Sequence, residues 1–82
     1  VRLLLIDDHP LFRQGFAAMV AEARPDWILI GAGCAAEGEA AATDPRLELI
    51  LVDLDLPDAD GFETVARIGA IAPATPRLVI SA

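Results

Sequence analysis

Two short apolar runs that each end in acid constrain this chain more than any other feature. Leu3-Leu4-Leu5-Ile6 leads directly into Asp7-Asp8, and Leu49-Ile50-Leu51-Val52 leads directly into Asp53. Apolar runs of this length, separated by helix-sized stretches, are the pattern of parallel strands buried on both faces. The strands of a parallel sheet end on one edge, where open α/β folds build their sites. The pattern therefore predicts that Asp7, Asp8 and Asp53 converge despite their distance in sequence. Crowded carboxylates repel unless a cation or a proton neutralises them. A divalent metal site explains the trio, and hard oxygen ligands favour magnesium.

The remaining punctuation gives a βαβαβαβ order. Val1 to Ile6 is the first strand, and Pro10 opens a helix to about Ala23 with Leu11, Phe12, Phe16, Met19 and Val20 on its apolar face. Trp27 to Ile30 is the second strand, with Gly31-Ala32-Gly33 as its exit. A helix from Ala35 to about Thr43 closes at Asp44-Pro45. Leu47 to Val52 is the third strand, Leu56 to Gly61 a loop of turn residues, Phe62 to Ile71 the third helix and Arg77 to Ile80 the fourth strand. Right-handed crossovers place helices on both faces of one parallel sheet. Leu78-Val79-Ile80 is apolar at consecutive positions, as a central strand is, yet nothing follows to cover it. The expectation is a fragment that lacks its last strand and helices, with an open edge that is a route to strand swapping or a homodimer.

Composition narrows the function. The chain has 82 residues, enough for one small domain, and is 55% hydrophobic. Neither a membrane span nor a signal peptide is visible. Cys34 is the lone cysteine, which suits a reducing cytoplasm. The net charge of -7 argues against direct contact with nucleic acid or an anionic membrane, and all six basic residues are arginine.

Each candidate residue has a plainer explanation to be weighed. An aspartate after a strand can cap the following helix, but capping accounts for one of Asp7 and Asp8, not both. Gly31-Ala32-Gly33-Cys34-Ala35-Ala36 matches a dinucleotide-binding fingerprint, although that fingerprint belongs in the first βαβ unit; a tight strand-to-helix turn is the better reading. His9 is read as a solvent-facing loop residue rather than a base. Cys34 is read as a small buried filler, and Trp27 with the three phenylalanines as core. Ser81 ends the fourth strand on the same edge as Asp53, where its hydroxyl can bond a phosphoryl oxygen.

Taken together, the chain resembles the receiver domain of bacterial two-component response regulators. The resemblance rests on Leu4-Leu5-Ile6-Asp7-Asp8-His9-Pro10-Leu11-Phe12-Arg13-Gln14-Gly15, on Ala36-Glu37-Gly38-Glu39-Ala40, on Val52-Asp53-Leu54-Asp55-Leu56-Pro57 with Gly61, and on Ser81-Ala82. The opening is most similar to regulators that carry a LuxR-type DNA-binding output. The resemblance implies a flavodoxin-like (CheY-like) doubly wound parallel sheet, here truncated after the fourth strand, with residues 1–82 as a receiver lacking its C-terminal helix–strand–helix portion. It implies that Asp53 is the phosphoacceptor, taking a phosphoryl group from a sensor histidine kinase. Asp7, Asp8, Asp53 and the backbone carbonyl of Asp55 would hold Mg2+, and Ser81 would be the switch hydroxyl.

Such a domain promotes only its own phosphorylation and dephosphorylation, sits in the cytoplasm and touches DNA only through an output domain absent here. The family's lysine at the end of a fifth strand has no counterpart in this chain, and Asp55 adds a carboxyl beside the site. Two alternatives stay open. One is a receiver-like module that docks partners without phosphate. The other is a phosphohydrolase, since Asp53-Leu54-Asp55 is similar to the nucleophile motif of haloacid-dehalogenase-like phosphatases; that motif normally lies on the first strand and works with a lysine.

Overall fold

The computed structural model describes residues 1–80. Four parallel strands, β1 (Arg2–Ile6), β2 (Ile28–Ala32), β3 (Leu49–Asp53) and β4 (Arg77–Ile80), lie in the order β2-β1-β3-β4. Helices α1 (Pro10–Ala23), α2 (Ala35–Ala41) and α3 (Gly61–Ile71) connect them. The first crossover moves outward from β1 to β2, and the second returns across β1 to β3. The direction of winding thus reverses between β1 and β3, the place where such sheets open a crevice at their carboxyl edge.

Register turns the apolar runs into a core. Leu4 pairs with Ile30 and Ile50, and Ile6 with Ala32 and Val52. On this face Leu4, Ile6, Ile50 and Val52 pack with Ala32, Ala42, Leu47 and Ile68. Burial of each large side chain in this group contributes about 1.5–3 kcal/mol. Gly38 of α2 admits Ile6 so closely that any β-carbon there would press into it. α3 is fixed at its start by the Asp60 carboxylate, which accepts from the Phe62 N–H at 2.7 Å. The fully buried Thr64 hydroxyl donates back to the Asp60 carbonyl at 3.0 Å.

Element order and type agree with the sequence reading, and several boundaries and burial expectations do not. β2 runs on through Gly31 and Ala32, because parallel pairing with Leu5 and Ile6 is a backbone property that glycine satisfies. The Arg13 side chain lies over Gly31 and Gly33 and fills the space a side chain would have taken. β3 starts at Leu49, although Leu47 is already buried in the core.

The expected apolar face of α1 is mostly open: Leu11, Phe12 and Met19 are exposed and Val20 alone is buried. One helix covers that side of the sheet among the described residues, against two on the other, so Phe12 and Phe16 pack on each other with centroids 6.0 Å apart. Trp27 and the phenylalanines are not core as expected. Phe62 is 72% exposed, and Trp27 is half-buried in the turn before β2, with the Arg24 guanidinium over its ring at 5.8 Å. Cys34 is half-buried at the start of α2 rather than a core filler. On β4, Leu78 and Val79 are exposed.

Candidate functional site

The β1–α1 and β3–α3 loops meet at the carboxyl edge, as the two acidic runs predict. Asp7, Asp8, His9 and Asp53 each present a ligand atom, and these atoms lie within 4.8 Å of one another. Asp7 and Asp53 are buried, and Asp8 is partly so. Burial follows from the strands: Asp7 continues β1, its N–H donating to the Ala32 carbonyl at 3.0 Å, and Asp53 is the last residue of β3.

Each carboxylate is held differently. Asp7 Oδ1 accepts from the backbone N–H of His9 at 2.7 Å, the bond of a tight turn into α1. The Arg13 guanidinium reaches back from the first turns of α1 to the Asp7 carbonyl at 2.5 Å and pins the strand end. Asp53 Oδ1 accepts from the Asp55 N–H at 3.0 Å. Asp8 Oδ1 is buried and, among the described residues, has no hydrogen bond of good geometry. Burial pushes the Asp53 carboxyl above the usual carboxylate range, and the charges of Asp7 and Asp55 add to it; the Asp55 N–H works against them.

The plain reading of His9 as a solvent-facing residue is half right. Its side chain is 59% exposed, yet Nδ1 lies 3.0 Å from Asp7 Oδ1, 3.1 Å from Asp8 Oδ1 and 3.8 Å from Asp53 Oδ2. The hydrogen bond to Asp7 and the charge of Asp8 raise its pKa above the ordinary imidazole value. Asp55 is exposed and pairs with Asp60 in an isolated antiparallel bridge that closes the loop. Gly61 completes the closure, since a β-carbon there would collide with the Leu54 backbone. Ser81 lies outside the described residues.

Sequence reading missed two contributors. Arg13 was visible only as one residue of a motif, and Asp58 only as part of a turn-forming loop. Asp58 takes the N–H groups of Ala35 and Ala36 at 2.7 and 3.0 Å, and these bonds hold its carboxyl below the usual range. No local pattern signals a bond between segments so far apart.

The donor set fits a divalent cation: three carboxylates from two strand ends, one with an orphaned buried oxygen and one with a raised pKa. Oxygen donors at this density suit magnesium or a similar hard ion. Residues 3–82 match the model of the response regulator receiver domain. The chain belongs to that family.

Curated relatives agree. A protein-glutamate methylesterase/protein-glutamine glutaminase 2 of Anaeromyxobacter dehalogenans is 44% identical over 85 aligned positions, spanning all of this chain and 24% of the relative. The transcriptional regulatory protein LiaR of Bacillus subtilis is 42% identical over 69 positions, 83% of this chain and 32% of the relative. Among solved structures, a two-component response regulator of the LuxR family from Aurantimonas superposes with a TM-score of 0.82 at 28% identity, covering 98% of this chain and 57% of that one. The receiver thus has the CheY-like fold that its sequence implies. The chain spans about a quarter to a third of the two curated relatives. No helix among the described residues is long and apolar enough to cross a membrane.

Proposed function

We propose that this receiver, residues 1–82, works in the cytoplasm and accepts a phosphoryl group from a sensor histidine kinase on Asp53, in a reaction that needs Mg2+. The supporting observation is the convergence of Asp7, Asp8 and Asp53 at the β1/β3 crevice, with Asp53 oriented by the Asp55 N–H. Asp7, Asp8, Asp53 and the Asp55 carbonyl are the residues that would hold the ion, which supplies positive charge to neutralise the phosphoryl oxygens.

An oxygen of the Asp53 carboxylate attacks phosphorus in line, and the bond from phosphorus to the donor's imidazole nitrogen breaks. The electron pair stays on that nitrogen, which takes up a proton. The Asp55 N–H keeps one Asp53 oxygen fixed during this exchange, and Arg13 and the His9 N–H hold the Asp7 end of the crevice. Ser81 is proposed as the hydroxyl that turns to the new phosphoryl group. The chain would change only its own phosphorylation state and act on nothing else.

The opening Asp7-Asp8-His9-Pro10 and the likeness to LiaR favour a DNA-binding output in the whole protein. The 44% identity to the methylesterase/glutaminase favours an esterase output as a second reading. DNA binding and methyl-ester hydrolysis, each assayed on the full-length protein before and after phosphorylation, separate the two. For the receiver, incubation with Mg2+ and a small acyl-phosphate donor should add one phosphoryl group by intact mass. The addition should vanish without the ion and in Asp53→Asn. No added mass in the full-length wild-type protein would overturn the acceptor reading and favour a module that docks without phosphate.

A further inference from the structure

We propose that Asp58 is a positioning residue for the acceptor: it clamps the β3–α3 loop to the first turn of α2 and so fixes the Asp55 N–H that aims the Asp53 carboxylate. The inference rests on the acceptor reading of Asp53 for its consequence, though not for its geometry.

Asp58 Oδ1 accepts from the Ala35 N–H at 2.7 Å and Oδ2 from the Ala36 N–H at 3.0 Å. A helix normally finds an acceptor for its first N–H groups in its own N-cap side chain. α2 has Cys34 in that place, and the cysteine makes no capping bond. Asp58 supplies the acceptors from a different connection, so what is elsewhere a local cap is here a tie between two elements. An ion pair between Glu39 and Arg67 at 3.7 Å joins α2 to α3 further along, but it is exposed and adds little.

The tie reaches the acceptor through a short, closed loop. Its base is shut by the Asp55–Asp60 bridge and by the contact of Gly61 with the Leu54 backbone. Its far end enters α3 through the Asp60 cap on Phe62. Asp58 fastens the tip. Asp55 lies at that base, and its N–H meets Asp53 Oδ1 at 3.0 Å. Releasing the tip frees the span that the weak, isolated Asp55–Asp60 bridge alone then closes, so the base loosens with it and the aim of that N–H is spoiled. In-line transfer is sensitive to such errors, a displacement near 1 Å costing on the order of 10²-fold.

The test compares wild type, Asp58→Asn and Asp58→Ala by amide hydrogen exchange and by the initial rate of Mg2+-dependent phosphorylation over a range of acyl-phosphate concentrations. In Asp58→Ala the amides of Ala35, Ala36 and Asp55 should all exchange faster. The maximal rate should fall by about tenfold, with the half-saturating donor concentration unchanged. Asparagine caps almost as well as aspartate and keeps one oxygen acceptor, so Asp58→Asn should recover most of the rate.

Faster exchange at Ala35 and Ala36 alone, with the Asp55 amide and the rate as in wild type, would reduce Asp58 to a cap of α2 and overturn the proposal. Should the alanine variant unfold, native-state exchange of the wild type decides: the Ala35, Ala36 and Asp55 amides should open together, and an Asp55 amide that opens independently of the other two overturns the clamp. If the full-length wild type takes no phosphate, the acceptor reading fails, and exchange at Asp55 still settles whether Asp58 holds the loop.

Discussion

The two edges of the sheet use the same residue type in opposite ways. At the amino edge, Asp44 meets Arg46 Nε at 3.1 Å and Arg2 at 3.6 Å, and the hydrogen bond from the Arg46 side chain holds its carboxyl below the usual range. At the carboxyl edge, the ion-pairing partner of Asp7, Asp8 and Asp53 among the described residues is the half-exposed ring of His9. Arg13 is close, but it spends its guanidinium on the Asp7 carbonyl. Acids at one edge are paired and serve the fold. Those at the other are left crowded, a strain that the proposed cation and phosphoryl group would relieve.

The largest break in this comparison is Asp53→Asn. Phosphorylation should be lost completely, as read by intact mass, while the fold persists. In the absence of divalent ions the same change should stabilise the protein by about 1 kcal/mol at neutral pH, the gain expected when a functional strain is relieved. The sign follows from the raised pKa of Asp53. Above its folded pKa the ionised group is penalised in the native state; the penalty shrinks as pH falls through that value and is gone below the unfolded pKa. A neutral-pH chemical denaturation midpoint that drops in Asp53→Asn would contradict the crowded-edge account.

Gly61→Ala attacks the carboxyl edge through backbone rather than charge. The added methyl meets the Leu54 backbone, which cannot give way as a flexible side chain would. A loss of about 1–3 kcal/mol is expected, together with slower phosphorylation, because the displaced loop carries Asp55. The matching change at Gly15, inside α1 where a β-carbon meets nothing, should leave phosphorylation near wild type and raise stability by about 0.5–1 kcal/mol through helix propensity.

Asp8→Ala should weaken Mg2+ binding by about tenfold or more, since even partners of metal ligands commonly matter by that factor. Isothermal titration is the right measurement. Trp27 precedes β2 at the opposite edge of the sheet and would report this site poorly by fluorescence. An unchanged affinity would remove Asp8 from the proposed ligands and leave its buried Oδ1 without a role.

How much of this was legible follows from the range of each signal. Strand identity and the meeting of Asp7, Asp8 and Asp53 were readable, because an apolar run and the acid after it fix both burial and edge. The end of β2 was not, because Gly31 looks like an exit until Arg13, from another element, is seen to cover it. The burial of Phe12 and Met19 was misjudged because helical spacing marks an apolar face without saying what lies against it. Asp58 and His9 lie in segments whose composition says only turn. Their partners are set by the fold, so their parts became visible only with the strands in register.

The smallest expected effect sharpens the contrast from the amino edge. Asp44→Asn removes a partly buried carboxylate whose Arg46 partner is exposed and screened, so its loss should lower the thermal midpoint only slightly, and less still in high salt. The sign is opposite to that of Asp53. With a lowered folded pKa, Asp44 contributes stability that is present above its unfolded value and is lost as pH falls through the folded one. The difference between Asp44→Asn and wild type should therefore close in acid, whereas the advantage of Asp53→Asn should close as the native Asp53 carboxyl takes up its proton, at higher pH. Phosphorylation and Mg2+ affinity should not change in Asp44→Asn. If they did, the two edges would be electrostatically coupled through the sheet, and the division of labour drawn between them would fail.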